Sequence, residues 1–202
     1  CHSALQAPKK QCERQLIPCE EIDSATFKDG SVNNVECDVL FCFRFSKIFK
    51  EELLSLAKIA TVNFHGSLLP KFAGLGSIFQ AMKHNERQIG GSFHLMVKKI
   101  DGGDVITQSS FPIDYSESVS HHHLKVYRES SKLFDSLREN LINGTRISND
   151  SSEKEYFSFP TKSDLKSFHG RLINLRDIIL AFRIIKDGDV AAEISPPPHD
   201  KA

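Results

Sequence analysis

The sequence predicts an α/β fold, and three observations carry that expectation. Short apolar runs rich in β-branched and aromatic residues, such as Val39-Leu40-Phe41-Cys42-Phe43 and Ile59-Ala60-Thr61-Val62, alternate with stretches of helical periodicity, the order expected of helices packed on a sheet. Hydrophobic residues fill 40% of 202 positions, enough for one domain with a proper core. A long stretch places Tyr127, Phe134, Leu137 and Leu141 on one helical face, as a helix lying on a sheet requires.

In chain order the pattern predicts a strand over residues 37–43, a helix over 50–58 and a strand over 60–65. A loop leads to a helix over 77–85, then strands over 90–98 and 104–112, then a long helix from about residue 116 to 142. Residues 144–155 are rich in Ser, Asn and Asp and read as a linker. After them Thr161 or Ser163 is placed to cap a short helix. A last periodic segment, 172–185, carries Ile173, Leu175, Ile178, Ile179, Phe182 and Ile185, and precedes a Pro196-Pro197-Pro198 tail expected to be disordered. The first 30 residues are polar and interrupted by Pro8, Pro18 and Gly30. The expected organisation is an irregular segment over 1–30, a core over 31–143, and a linker, small helical appendage and tail over 144–202.

Lys+Arg and Asp+Glu both count 26, so no strongly basic surface points to a polyanionic partner. No apolar run is long enough to cross a membrane, and the start of the chain lacks the charged and apolar regions of a secretory signal. Five cysteines (Cys1, Cys12, Cys19, Cys37 and Cys42) lie in the first 42 residues without a metal or disulfide pattern, so reduced thiols and a cytoplasmic location are expected. Without a secretory signal, the sequons at Asn143 and Asn149 are expected to be accidental.

The residues that carry chemistry sit at two strand ends. Asn63 and His65 are two apart at the end of an apolar run, and positions i and i+2 of a strand share a face. An amide and an imidazole side by side can donate hydrogen bonds to a carbonyl oxygen as it becomes an oxyanion, a large term in acyl transfer. Asp101 follows a second β-like run, where Gly102 and Gly103 permit a tight turn with unusual dihedrals. A carboxylate there is suited to orient His65 and accept a proton, directly or through one water.

The pattern Asn63-x-His65-x-Ser67-Leu68-Leu69-Pro70, a following Gly, and Asp101-x-Gly103-x-x-Ile106 resembles the 10-formyltetrahydrofolate-dependent formyltransferases. That family includes phosphoribosylglycinamide formyltransferase, methionyl-tRNA formyltransferase and the sugar N-formyltransferases. The resemblance covers residues 38–113, about half of the chain. It implies a Rossmann-like formyltransferase sheet with flanking helices, and Asn63, His65 and Asp101 as the catalytic set. It also implies attack of a neutral amine on the formyl carbon of 10-formyltetrahydrofolate, used as co-substrate without a metal. The family's pterin loop falls on Ser46, Lys47, Ile48 and Phe49, with Leu69, Pro70, Val97 and Ile100 as further walls. His94 matches a position where some members place a histidine near the acceptor, and packing is the competing reading.

The opening of the chain departs from the family. Members begin with a strand, a helix and a strand, whereas residues 1–30 show no such pattern, so the unit is expected to be missing and turnover impaired. The implied acceptor is a small-molecule amine, on an amino sugar or a phosphoribosyl amine. Residues 144–202 are too short for the separate domain with which methionyl-tRNA formyltransferases hold tRNA, and together with the neutral charge this disfavours tRNA. A non-catalytic folate-binding relative is the third reading. Arg44, Lys47, Lys50 and Lys71 suit either the glutamate tail of a folate or plain solvation. His121-His122-His123 reads as a helix start rather than a metal tract, because adjacent helical side chains diverge. Gly74-Leu75-Gly76-Ser77 reads as the turn entering a helix.

Overall fold

The computed structural model describes residues 12–18, 36–43, 48–149 and 155–174. The chain divides into two compact units, residues 1–30 with 173–202, and Ser31–Leu172. In the first, residues 12–18 form a turn in which the Gln15 and Ile17 N–H groups both donate to the Cys12 carbonyl, at 3.1 and 2.9 Å.

The second unit contains β1 (Cys37–Phe43), α1 (Glu51–Leu54), β2 (Ala57–His65), β3 (Ala73–Gly74), α2 (Ser77–Lys83), β4 (Gln88–Leu95), β5 (Val105–Pro112), α3 (Val119–Ser131), α4 (Phe134–Asn143), β6 (Tyr156–Phe157) and α5 (Lys162–Ser167). Among the described residues, four strands form the central sheet in the order β1-β2-β4-β5. β1 runs parallel to β2, while β4 runs antiparallel to both of its neighbours, β2 and β5. The expected α/β class with flanking helices is observed.

One face of this sheet is apolar, and it holds the helices. Phe64 of β2 stacks near Phe93 of β4 (5.1 Å between rings) and Tyr127 of α3 (5.3 Å), and Phe93 meets Phe134 of α4 at 5.4 Å. Val62, Ile78, Met82, Ile89, Ile106, Val126 and Leu137 complete the buried core. Removing each such side chain from water contributes about 1.5–3 kcal/mol. α2 is bolted to α5 by an ion pair between Lys83 and Asp164, and Asp164 also closes a capping box with Thr161. The Lys83 ammonium and the Thr161 donors hold the Asp164 carboxyl below its usual range.

Several elements differ from their predicted extents for physical reasons. The helix predicted over residues 50–58 stops at Leu54, whose carbonyl accepts from the Thr61 hydroxyl at 3.0 Å. Ala57, Lys58 and Ile59 instead begin β2, with Ala57 in register with Cys37 of β1. The single long helix predicted over 116–142 is two helices, separated by a tight turn in which Lys132 and Leu133 N–H groups donate to Glu129 and Ser130 carbonyls. The strand predicted over 90–98 begins at Gln88 and ends at Leu95, after a register shift at Phe93/His94, and Met96 N–H donates across to the Thr61 carbonyl at 2.8 Å. Of the two capping candidates, Thr161 is the one used. The compact unit also continues past the boundary predicted at residue 143, because Ile147 exchanges backbone bonds with Val105 (2.9 and 2.8 Å) and β6 pairs with β3. Of the final helix predicted over 172–185, residues 172–174 are described and not helical; the rest, with the Pro-rich tail, lies outside the described residues. Among the described residues no helix is long and apolar enough to cross a membrane.

The three consecutive histidines start α3, and the middle one is a structural latch. His122 is fully buried; its Nδ1 faces the Ser118 carbonyl at 2.8 Å and its Nε2 accepts from Asp114 N–H at 3.1 Å. Burial pushes the His122 pKa down, the Ser118 carbonyl opposes this, and His121 and Lys125 add to it. The unfolded chain therefore binds this proton more readily, so the latch is at full strength above about pH 6.5 and weakens as pH falls below it. The thermal midpoint of the wild-type chain is expected to drop between about pH 7 and pH 5, with a shallower drop in His122→Gln. An equal slope in the two proteins, read by circular dichroism, would remove His122 as the cause.

Candidate active site

Strand register assembles the polar face. β2 and β4 pair so that Asn63 lies opposite His94 and His65 opposite Ser92, and β5 places Gln108 opposite Ser92. Alternation along each strand turns these side chains away from the face occupied by Phe64 and Phe93. His94 is 2% exposed. Its Nδ1 lies 2.9 Å from the Leu95 carbonyl, so the proton belongs there and Nε2 accepts from the Asn63 amide at 3.1 Å.

His65 lies two residues on, with Nε2 2.9 Å from the Phe72 carbonyl and Nδ1 3.6 Å from Asp101 Oδ2. The other Asp101 oxygen is 3.6 Å from His94 Nε2. These two separations are ion-pair distances, too long for direct hydrogen bonds. The carboxylate thus sits between two imidazoles, and Gly74 N–H donates to Oδ2 at 2.8 Å. The three predicted catalytic residues, with His94, converge in one place.

The expected turn at Asp101 is present, but its strained residue is different. Asp101 itself takes the left-handed conformation, with φ of 48°, and the two glycines after it do not. Gly103 is needed for space: a Cβ there would lie 2.0 Å from the Leu95 carbonyl oxygen.

Other residues of the site are not visible in the motif. Ser92 Oγ donates to the Ser67 carbonyl (2.5 Å) and accepts from Leu69 N–H (3.1 Å) and Gln108 Nε2 (2.9 Å). Gln108 also donates to the Leu69 carbonyl at 2.9 Å. Together they hold the loop after His65 over the polar face. Only the pairing of β2, β4 and β5, which is non-local, marks Ser92 and Gln108 as neighbours of that loop.

The sequence profile of the formyl transferase family matches residues 4–136. The chain belongs to this family. The match is wider than the residues 38–113 over which the motifs are legible, and it reaches into the polar opening segment. A methionyl-tRNA formyltransferase of Staphylococcus aureus is 32% identical over 114 residues, covering 56% of this chain and 37% of that protein. The chain therefore spans well under half the length of that relative. A crystal structure of a 4-N formyltransferase from Francisella tularensis aligns with a TM-score of 0.61 at 22% identity, covering 85% of this chain and 69% of the other. An N-formyltransferase from Helicobacter canadensis, crystallised with folinic acid and dTDP-3-aminofucose, aligns with a TM-score of 0.59 at 21% identity, covering 76% and 53%.

The residues expected to contact folate differ in exposure. Ile48, Val97 and Ile100 are exposed, and Phe49 and Pro70 are half-buried. Leu69 is buried in a small cluster with Ala73 and Val105, so its side chain serves as packing beneath the loop. Ser46 and Lys47, together with Arg44, lie outside the described residues. Lys71 pairs with Glu86 at 2.9 Å. Among the described residues no group of three His, Cys, Asp or Glu is placed to hold a metal ion.

Gly74 has a dual burden, a φ of 94° and a Cβ position only 2.2 Å from the Phe157 carbonyl oxygen. Gly74→Ala is expected to lower stability by about 1–3 kcal/mol through backbone strain alone, with more lost to the steric overlap. Urea denaturation with an unchanged midpoint would contradict this reading of β3.

Proposed function

We propose that this chain transfers the formyl group of 10-formyltetrahydrofolate to the amine of a small-molecule acceptor, on an amino sugar or a phosphoribosyl amine. The observation that carries the reading is the convergence of Asn63, His65 and Asp101 in a member of the formyl transferase family. The folinic acid and amino-sugar nucleotide in the Helicobacter canadensis structure support the choice of donor and acceptor class.

The amine lone pair attacks the formyl carbon, and the carbonyl electrons move onto oxygen. Asn63 spends one amide N–H on His94 and keeps the other for this oxyanion. His65 donates from Nε2 by sharing, or giving up, the Phe72 carbonyl 2.9 Å away. Asp101, held by Gly74 and 3.6 Å from His65 Nδ1, takes the ammonium proton directly or through a water. A proton then passes to N10 as its bond to the formyl carbon breaks, releasing the formamide and tetrahydrofolate. Apolar surface from Ile48, Val97 and Ile100 is available to the pterin, with Ser46 and Lys47 assigned to the same loop. His94 is assigned to the acceptor side by aligning Asn63. The protein is read as a soluble cytoplasmic enzyme of one-carbon metabolism.

Methionyl-tRNA is the second acceptor, favoured by the Staphylococcus aureus relative and disfavoured by the zero net charge. His65→Ala and Asp101→Asn are each expected to lower kcat by about 10²–10⁴-fold, the range for groups that move protons in the transition state. Affinity for a non-transferring analogue of 10-formyltetrahydrofolate, measured by calorimetric titration, is expected to stay within about threefold, because these groups act mainly in the transition state. Full activity in either variant would sink the mechanism. Analogue binding without turnover on amino-sugar nucleotides, glycinamide ribotide or charged initiator tRNA would leave a folate-binding protein instead of an enzyme.

A further inference from the structure

We propose that Asn149 is a positioning residue that sets the backbone of Asp101 and so aims its carboxylate at His65. This inference rests on the catalytic reading of Asp101 above. Asn149 lies 45 or more residues downstream of the loop it serves and is 2% exposed. Its Nδ2 donates to the carbonyls of Asp101 and Gly103, both at 2.8 Å, and its own N–H donates to Asp104 Oδ1 at 3.3 Å. Two converging carbonyl oxygens can be met only by the NH₂ end of the amide, so its orientation follows from its partners.

Both donors of the side chain are spent on one loop, while its acceptor is spent on nothing. Oδ1 has no hydrogen-bond partner among the described residues although it is buried. A buried acceptor without a partner is a standing cost, tolerated where the rest of the group does something no apolar residue can. Here that task is visible, because Asp101 has a φ of 48°, a conformation that persists in a non-glycine residue only when its surroundings impose it. Asn149 clamps the peptide carbonyl that leaves this strained residue, and Gly74 N–H holds the carboxylate at its other end. Each restraint has its own support: Ile147, two residues before Asn149, is bonded to Val105, and Gly74 pairs with Phe157 of β6. The same burial withdraws the Asn149 side chain from solvent in the folded chain.

The test compares wild type, Asn149→Ala, Asn149→Ser, Asp101→Asn and the double variant Asp101→Asn/Asn149→Ala, all as the full chain. Asn149→Ser retains a single donor and serves if the alanine variant does not fold. If Asn149 acts through Asp101, its alanine variant lowers kcat by about 10- to 100-fold, the loss expected when a catalytic group is displaced by about an ångström. The serine variant falls between, and KM for the formyl donor stays within about threefold, since only transition-state contacts are lost. In the Asp101→Asn background the second substitution has no further effect on kcat. A second readout needs no turnover: at fixed pH, the 15N resonance of His65 Nδ1 moves in folded Asn149→Ala or Asn149→Ser in the same sense as in Asp101→Asn. A folded Asn149 variant with wild-type kcat and an unmoved His65 resonance overturns the inference. Independent, multiplicative losses in the double variant overturn it as well, and reduce Asn149 to general support. If Asp101→Asn retains full activity, it is the catalytic reading that fails, and the His65 resonance alone then decides whether Asn149 sets the loop.

Discussion

The antiparallel register of β2 against β4 is the constraint on which the polar site depends. It sets Asn63 across from His94 and His65 across from Ser92, and the alternation that does so also commits Phe64 and Phe93 to the opposite face. A one-residue slip of β4 against β2 would put His94 and Ser92 under α3 and α4 and turn the Phe93 ring toward Asn63 and His65. The aromatic contacts with Tyr127 and Phe134 therefore specify the site from behind. Core packing and chemistry are here two readings of one pairing.

From that register the site is completed by backbone. The Phe72 carbonyl meets His65, the Gly74 N–H meets Asp101, and the Leu95 carbonyl fixes the tautomer of His94. Each partner is a main-chain group on a short loop or strand end, so the side chains are oriented by elements with little freedom of their own. Ser92 and Gln108 extend the same logic to the loop following His65, where they bind the Ser67 and Leu69 carbonyls. In the proposed reaction such preorganisation favours transition-state stabilisation, because the dipoles need not rearrange as charge develops.

Much of this was legible in the sequence, for identifiable reasons. Asn63, His65 and Asp101 declare themselves because their chemistry lies in residue type and short spacing, and β1 is readable because the apolar run over residues 39–43 makes up most of it. The break between α3 and α4 was hidden, since Phe134 and Leu137 keep the helical period across Lys132 while the backbone turns. The start of β2 was hidden too: Lys58 and Ile59 are exposed, and only pairing with β1 makes them a strand. Ser92, Gln108 and Asn149 act through partners far along the chain, so no local pattern could have exposed them. The strain at Asp101 was anticipated one residue too late, at the glycines that make room for it.

The distance in sequence between Asp101 and the segment that braces it bears on how the protein comes into being. The four described strands of the sheet and α2 are complete by Pro112, whereas Asn149 and β6 leave the ribosome later, and closing that loop carries an entropic cost that grows slowly with its length. A nascent chain can therefore acquire its hydrophobic core before the carboxylate has reached its working geometry. Competence would then arrive as a distinct late event in biogenesis, when the last strap docks.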